Sequence, residues 1–149
     1  MNKLTESLLP IMNRDLDKLA EEIKQYPDEN SLWALSGSIK NSGGNLCLHL
    51  CGNLQHFIGT VLGKTGYVRN RDAEFSSQNI PKESLLAMIA ETKKAITSTL
   101  PALTDSQLQS QYPQEVLGKP MTTVYFLIHL SAHLGYHLGQ VNYHRRLVA

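Results

Sequence analysis

The chain has 149 residues, which suits one domain over residues 1–149, and 42% of them are hydrophobic, enough for a packed core. The 14 Lys and Arg against 13 Asp and Glu leave a formal net charge of +1, without the excess positive charge of a nucleic-acid-binding surface. No stretch is long and apolar enough to cross a membrane, and two cysteines make no disulfide framework. We therefore expect a cytoplasmic protein with neither nucleic acid nor membrane as a partner.

The first half of the chain predicts two helices. Apolar residues recur at helical spacing over residues 4–23, where Pro10 indicates that the helix either begins around Ser7 or bends there. A second helix is predicted at residues 45–62, ending at a Lys-Thr-Gly sequence. No stretch in the chain alternates between apolar and polar residues as a strand does.

The second half predicts two more helices. A third helix opens near Pro81, a residue that the first turn tolerates, and residues 104–120 are expected to be irregular. A fourth helix is predicted at residues 121–147. Four such helices predict an all-α four-helix bundle. The connection between the second and third helices has about 18 residues, enough to cross the length of a bundle.

The histidines lie on the second and fourth predicted helices; they are His49, His56, His129, His133, His137 and His144. At about 100° per residue, the four on the last helix share with Gln140 a sector about 80° wide. No Asp, Glu, Lys or Arg occurs between Met121 and His144. We therefore expect the last helix to be buried on most sides, against other helices or another subunit.

A metal site can be assembled from two of these helices. His133 and His137 are four residues apart, so both imidazoles can reach one ion, and His49 of the second helix can provide a third ligand. Three nitrogen ligands leave coordination positions open for water, a thiol or a carbonyl group. Asn53 and Gln140 are candidates to orient the ligands. The alternative is that the histidines are hydrogen-bonded core residues without a metal.

Other residues have simpler interpretations. His144, beside two arginines, is expected at the surface or an interface. Cys47 and Cys51 lie on the opposite side of the second helix from His49 and are expected to be small core residues. Gly135 and Gly139 reduce helix stability relative to alanine, so they suggest close approach of a neighbouring helix or a ligand.

The segment from Arg69 to Phe75 has two interpretations. It can be a charged, solvated loop without a function of its own. Alternatively, Arg69 and Arg71 can bind an anionic group of a substrate at the mouth of the bundle, because guanidinium groups bind carboxylates in pairs of hydrogen bonds.

Three segments of the chain resemble the DinB-like (YfiT-like) superfamily of metal-dependent enzymes. They are NSGGNLCLHLCGNL at residues 41–54, HLGYHLGQV at residues 133–141 and RNRDAEF at residues 69–75, the last resembling an Arg-x-Arg-x-x-Glu-Phe segment of one branch. Together with the order of the helices, the resemblance covers nearly the whole chain. Where that branch commonly has an arginine, this chain has Gln55, beside the additional His56.

This resemblance implies an up-down-down-up four-helix bundle that binds a divalent metal, zinc or nickel in particular, through His49, His133 and His137. His129 is then expected to support the site or to be structural. Characterised members include thiol-dependent transferases and isomerases that use bacillithiol or mycothiol, and some hydrolases. The resemblance therefore implies a thiol-dependent S-transferase or a hydrolase acting on a small molecule, with a low-molecular-weight thiol as cosubstrate. The contrasting hypothesis is a non-catalytic homodimer, joined through the last helix, whose histidines are buried or bind metal adventitiously.

Overall fold

The computed structural model describes residues 1–149, in which helices are the only regular secondary structure. The helices in chain order are α1 (Lys3–Gln25), α2 (Glu29–Leu32), α3 (Gly43–Leu54), α4 (Arg71–Ser76), α5 (Lys82–Thr99), α6 (Asp105–Gln109) and α7 (Thr123–Val148). A π-helix, Gln55–Thr60, continues α3, and a 3₁₀ turn, Leu100–Ala102, follows α5. The all-α class is confirmed, and none of the helices is long and apolar enough to pass through a lipid bilayer.

The four long helices surround one apolar core, since α1 and α3 each contact both α5 and α7. Their relative directions follow from pairs of facing residues. These are Asn13 with Thr97 and Asp17 with Lys93 between α1 and α5, Asp15 with Gly135 and Glu22 with Arg145 between α1 and α7, and Gly43 with His144 and His49 with His133 between α3 and α7. Thus α1 and α7 run in one direction, and α3 and α5 run in the other.

Side-chain caps set the starts of three of the four long helices, α1, α3 and α7. Asn2, Ser42 and Thr122 each accept a hydrogen bond from a backbone N–H in the first turn of α1, α3 and α7. Of the two alternatives predicted from Pro10, the start near Ser7 is therefore wrong, because the helix begins at Lys3, and the bend stays a prediction. Pro10 lies inside α1 on its exposed side, where water can bond the carbonyl group that loses its usual partner.

Two predicted segments contain more structure than expected. Residues 104–120 include α6, which begins with a capping box between Thr104 and Gln107. The predicted second helix changes to π geometry after Leu54, so that the N–H of Val61 donates to the carbonyl of His56. Such short elements span too few residues to produce a hydrophobic period.

The last helix, α7, is buried on one face only, so the expected burial on most sides is wrong within a single chain. Large apolar and aromatic side chains on the other face are between 50% and 71% exposed; they are Tyr125, Ile128, Tyr136, Tyr143 and Leu147. The uncharged composition of α7 therefore reflects a buried stripe together with an uncharged surface stripe.

Candidate metal centre

Three imidazoles from two helices meet near the middle of the bundle. His49 comes from α3, and His133 and His137 come from α7; one nitrogen from each lies within 4.8 Å of the others. The two Nε2 atoms of His49 and His133 are 3.2 Å apart. Zinc binds imidazole nitrogen at about 2.0–2.1 Å, so two nitrogens on one tetrahedral ion lie about 3.4 Å apart. The spacing of this histidine trio therefore suits a single ion.

A carboxylate accepts a hydrogen bond from the Nδ1 side of the His49 ring. Nδ1 of His49 is 3.1 Å from Oε1 of Glu74, and because a carboxylate only accepts, the proton of this bond lies on Nδ1. The Nε2 lone pair of His49 is then available to face the other two histidines. Such carboxylate–histidine pairs fix the tautomer and orientation of metal-binding imidazoles.

Arg69 completes this arrangement through two hydrogen bonds to Glu74. Its Nε donates to Oε2 at 2.8 Å and its Nη2 donates to Oε1 at 2.9 Å, and Glu74 is only 5% exposed. Burial raises the pKa of the Glu74 carboxyl, but the hydrogen bonds from His49 and Arg69 outweigh burial and leave that pKa below its ordinary value. Glu74 is therefore a charged carboxylate whose oxygens are both occupied.

The other two histidines differ in their support. Nδ1 of His137 donates to Oε1 of Gln140 at 2.6 Å, which leaves Nε2 of His137 with its lone pair. Nδ1 of His133 is buried without a partner. Burial, followed by the nearby histidine charges, lowers the pKa of His133 to about 4; burial also lowers the pKa of His137, against the raising effect of its bond to Gln140. Both imidazoles are therefore neutral near pH 7, as metal ligands must be.

The comparisons with known proteins can be set beside this geometry. A family model described as a protein of unknown function, DUF1572, matches residues 8–149. The chain belongs to the DUF1572 family. The fold is similar to that of a crystal structure of a DinB-like protein from Bacillus cereus ATCC 10987, with a TM-score of 0.75, 17% sequence identity, and coverage of 95% of this chain and 91% of that chain. None of the curated proteins matches this DUF1572 chain.

The solved structure confirms that this DUF1572 chain has a DinB-like fold. Gln140 accepts a hydrogen bond from His137, and its role in orienting a metal ligand stays a prediction. Asn53 is 7% exposed and its Oδ1 has no partner, so it makes no hydrogen bond to the trio through that atom. Glu74 was not predicted as a functional residue. The signal for it in the sequence was its position five residues after Arg69.

The structure changes both interpretations of the segment from Arg69 to Phe75, although anion binding by the exposed Arg71 stays a prediction. Arg69 is not free to bind an anionic substrate, because Glu74 occupies its guanidinium group. Nor is the segment a solvated loop, since Arg71 and Phe75 belong to α4 and the guanidinium of Arg71 lies 5.2 Å from the centre of the Phe75 ring. The segment instead delivers a buried ion pair to His49.

The remaining histidines lie outside the trio. His144 is not at the surface: it is 4% exposed, its Nε2–H donates to the carbonyl of Ala34, and its Nδ1 is 2.6 Å from the hydroxyl of Tyr26. His129 stacks on Phe126, with ring centres 5.7 Å apart. His144 and His129 therefore have packing roles. The sixth histidine, His56, lies 3.4 Å from a glutamine oxygen of the loop after α6.

The cysteines of α3 are buried, whereas the glycines of α7 are not closely packed. Cys47 and Cys51 are free and buried in the core, as the sequence indicated. The expected close approach at the two glycines of α7 is wrong, because a Cβ added at Gly135 would meet only Asp15, at 3.7 Å, and one at Gly139 would meet nothing within 4 Å. Gly139 therefore faces open space, and Gly135 has room for a methyl group at ordinary contact distance from Asp15, whereas the approach of a ligand to these glycines stays a prediction.

The contrast between two helical glycines gives a first prediction. A Cβ at Gly52 would overlap the carboxylate of Glu74, which Arg69 and His49 hold in place. We expect Gly52→Ala to lower the free energy of unfolding by about 1–3 kcal/mol through this overlap. The matched control, Gly139→Ala, should raise it by up to about 1 kcal/mol, because its Cβ is unopposed and alanine favours the helix. Urea unfolding of both variants measures the difference, and an increase for Gly52→Ala would contradict the tight fit.

Proposed function

We propose that this DUF1572 protein is a metal-dependent enzyme that acts on a small molecule, with His49, His133 and His137 as the ligands of a divalent metal. The observation that carries the proposal is the convergence of three imidazole nitrogens within 4.8 Å of one another. Imidazole ligands suit zinc and nickel. A divalent ion held in this way supplies Lewis-acid chemistry, which acidifies a water or a thiol or polarises a carbonyl group.

The residues around the trio have distinct tasks in this proposal. Glu74 orients His49, and Gln140 orients His137, so that their Nε2 atoms are directed to a common point. Arg69 neutralises the charge that Glu74 would otherwise bury alone. The ring of Phe75 packs against that of His49, with the ring centres 4.9 Å apart.

The same arrangement favours a thiol as the nucleophile. Glu74 is the carboxylate in contact with the trio, and because Arg69 and His49 occupy its oxygens it is poorly placed to act as a general base. A thiol has a pKa near 8.5 against 15.7 for bulk water, so it needs far less help to lose its proton. We therefore favour a thiol-dependent S-transferase, with a low-molecular-weight thiol as cosubstrate, over a hydrolase.

The proposal is tested by metal analysis followed by assay. Protein purified without an affinity tag is expected to contain about one zinc or nickel ion per chain. With an electrophilic acceptor present, one member of a panel of bacillithiol, mycothiol and glutathione should be consumed, measured as loss of free thiol. Ester hydrolysis without any thiol consumption would favour the hydrolase instead. A substoichiometric metal that exchanges easily would favour the non-catalytic alternative.

Gln140 provides a second prediction. Gln140→Ala removes the hydrogen bond that orients His137, and partners of this kind typically change metal affinity about 10–100-fold. Because Gln140 is exposed, we expect a loss near the lower end of that range, measured by competition with a chromophoric chelator. Gln109→Ala, at an exposed glutamine of α6, is the control and should bind metal like the parent protein.

A second proposal concerns assembly, and the exposed uncharged stripe of α7 favours it. Two copies of the chain can pair through Tyr125, Ile128 and Tyr136 without charge repulsion, because a two-fold contact places the same surface on both subunits. Such a homodimer is compatible with the enzyme and also with a non-catalytic bundle. The two free, buried thiols of Cys47 and Cys51 are in keeping with the cytoplasmic location that we propose.

The homodimer gives a third prediction. Ile128→Glu places a charge in the middle of the stripe, and we expect the chain to sediment as a monomer at concentrations where the parent protein is a dimer. Leu117→Glu changes an apolar residue that is 40% exposed but lies outside α7, so it should leave the dimer intact. Sedimentation velocity distinguishes these outcomes, and a monomeric parent protein would contradict the assembly.

A further inference from the structure

A cavity of about 390 Å³ opens beside the histidine trio. It lies between the segment that precedes α3 and the second half of α7, and apolar atoms dominate its walls, with Leu46, Tyr143 and Leu147 among the lining residues. His137 also lines the cavity, so the cavity reaches the candidate metal centre. Small-molecule sites typically enclose 300–1,000 Å³, which makes this one suitable for a small ligand.

The cavity offers hydrogen-bond donors and one positive charge but no carboxylate. Lys40 is its one charged lining residue, and no Asp or Glu lines it. Oε1 of Gln140 accepts a hydrogen bond from His137, so the amide N–H groups of Gln140 are free to donate. A ligand that offers oxygen acceptors and negative charge therefore complements the cavity better than a cation does.

The residues around the cavity do not cancel its positive charge. Glu22, an acidic residue of the neighbouring α1, is bound by Arg145 at 2.6 Å. The guanidinium of Arg146 lies 4.7 Å from the centre of the Tyr143 ring at the edge of the cavity. The buried His144 adds no free donor, since its Nε2–H bonds the carbonyl of Ala34.

We propose that this cavity binds the substrate of the proposed enzyme and that the substrate is a small monocarboxylate with an aromatic or aliphatic body. The carboxylate pairs with Lys40, and the body lies on Tyr143 and Leu147 and extends towards His137. The substrate role rests on the proposed function, whereas binding of a carboxylate in the cavity does not require a metal and can be measured without one.

The test uses phenylbutyrate and phenylbutylamine as probes, which share an apolar body and differ in charge. Calorimetric titration of metal-free and zinc-loaded protein should show phenylbutyrate binding at least about fivefold more tightly than the amine. Lys40→Gln should weaken phenylbutyrate about two- to fivefold, the range for an exposed ion pair, and so reduce its preference over the amine by at least that factor. Tyr143→Ala should weaken both probes about fivefold or more, because it removes part of the apolar wall.

A matched pair of control residues lies at the other end of α7, Tyr125 in its first turn and Lys119 in the segment that precedes the helix. Lys119 lies over the ring of Tyr125 as Arg146 lies over that of Tyr143, and both control residues are outside the cavity. Lys119→Gln and Tyr125→Ala should therefore leave the Kd values of both probes unchanged.

The possible results separate the two proposals. Failure of phenylbutyrate to bind, equal binding of the amine, or an unchanged Kd in Tyr143→Ala would each overturn the assignment of the cavity. If phenylbutyrate binds as expected but the protein takes up no stoichiometric metal, the carboxylate cavity stands and the proposed metal enzyme falls. If zinc binds stoichiometrically but phenylbutyrate does not bind, only the cavity assignment falls.

Discussion

Replacing His133 by alanine is expected to abolish stoichiometric metal binding while leaving the helical content of the protein almost unchanged. His133 provides the Nε2 atom that lies 3.2 Å from that of His49, so the variant keeps two ligands that come from different helices. Two such imidazoles cannot close a chelate on one helix, and we expect the metal affinity to fall by more than about 100-fold. Elemental analysis and far-ultraviolet circular dichroism measure the two effects.

The folded state should tolerate this change because His133 contributes little to stability. Its Nδ1 is buried without a hydrogen-bond partner, so truncation removes an unsatisfied polar atom. Alanine is also the better helix former within α7. We expect the free energy of unfolding of the metal-free protein to change by no more than about 1 kcal/mol.

His129→Ala is the matched control for this experiment. His129 lies one turn earlier on α7 and stacks on Phe126, outside the trio. It should therefore retain full metal occupancy. If His133→Ala also retained about one ion per chain, the trio would not be the metal centre, and the enzyme proposed from it would have to be given up.

Sequence periodicity accounts for the fold class and for the helix face on which each of the three histidines lies. His133 and His137 share a face of α7 because they are four residues apart, and the helical spacing of residues 45–54 turns His49 away from Cys47 and Cys51. Helix directions that bring the two faces together came from the resemblance to the DinB-like superfamily. The local pattern could not provide them, because an amphipathic helix has the same pattern in either direction.

The support for His49 could not be predicted in the same way. Glu74 reaches it from α4, a helix of 6 residues that is too short to produce a hydrophobic period. The position of α4 depends on the path of the long connection between α3 and α5. Gly52 gives no signal in the sequence either, because a glycine that accommodates a side chain resembles one that only weakens a helix.

The burial of His144 was mispredicted for a similar reason. Neighbouring arginines indicate a surface position, but the segment after α2 folds back so that the carbonyl of Ala34 accepts a bond from His144. Contacts of this kind join residues more than 100 positions apart and leave no local trace in the sequence. The exposed face of α7 was mispredicted as well, since an uncharged helix can be buried by its own chain or by a second copy.

The second large effect is expected for Glu74→Ala, which leaves Arg69 and His49 without their shared partner. Removing one member of a buried ion pair costs about 3–5 kcal/mol, because the other charge stays buried and unpaired. We expect a loss of unfolding free energy in this range. Asp17→Ala is the control. Asp17 also pairs with a cationic side chain, that of Lys93, but this pair lies at the surface, so the loss should be at most about 1 kcal/mol.

The metal affinity should fall in the same variant. His49 loses the acceptor that holds its proton on Nδ1, and the loss of such a partner typically weakens metal binding about 10–100-fold. Glu74→Gln keeps the shape and one acceptor oxygen, so its metal affinity should lie between those of the parent protein and Glu74→Ala. Equal affinities in all three proteins would show that Glu74 stabilises the fold without orienting His49.

Combining the two substitutions isolates the contact between α3 and α4. Gly52→Ala is destabilising only because its Cβ overlaps the Glu74 carboxylate. In the Glu74→Ala background the overlap is gone, so the same glycine substitution should become stabilising by up to about 1 kcal/mol, as alanine is in an open helix. The change of sign is a coupling energy that a double-mutant cycle in urea measures directly. Gly52→Ala could instead destabilise the parent protein and the Glu74→Ala variant equally. The loss of unfolding free energy would then arise elsewhere in α3, and the contact of Glu74 with this helix would not be what positions His49.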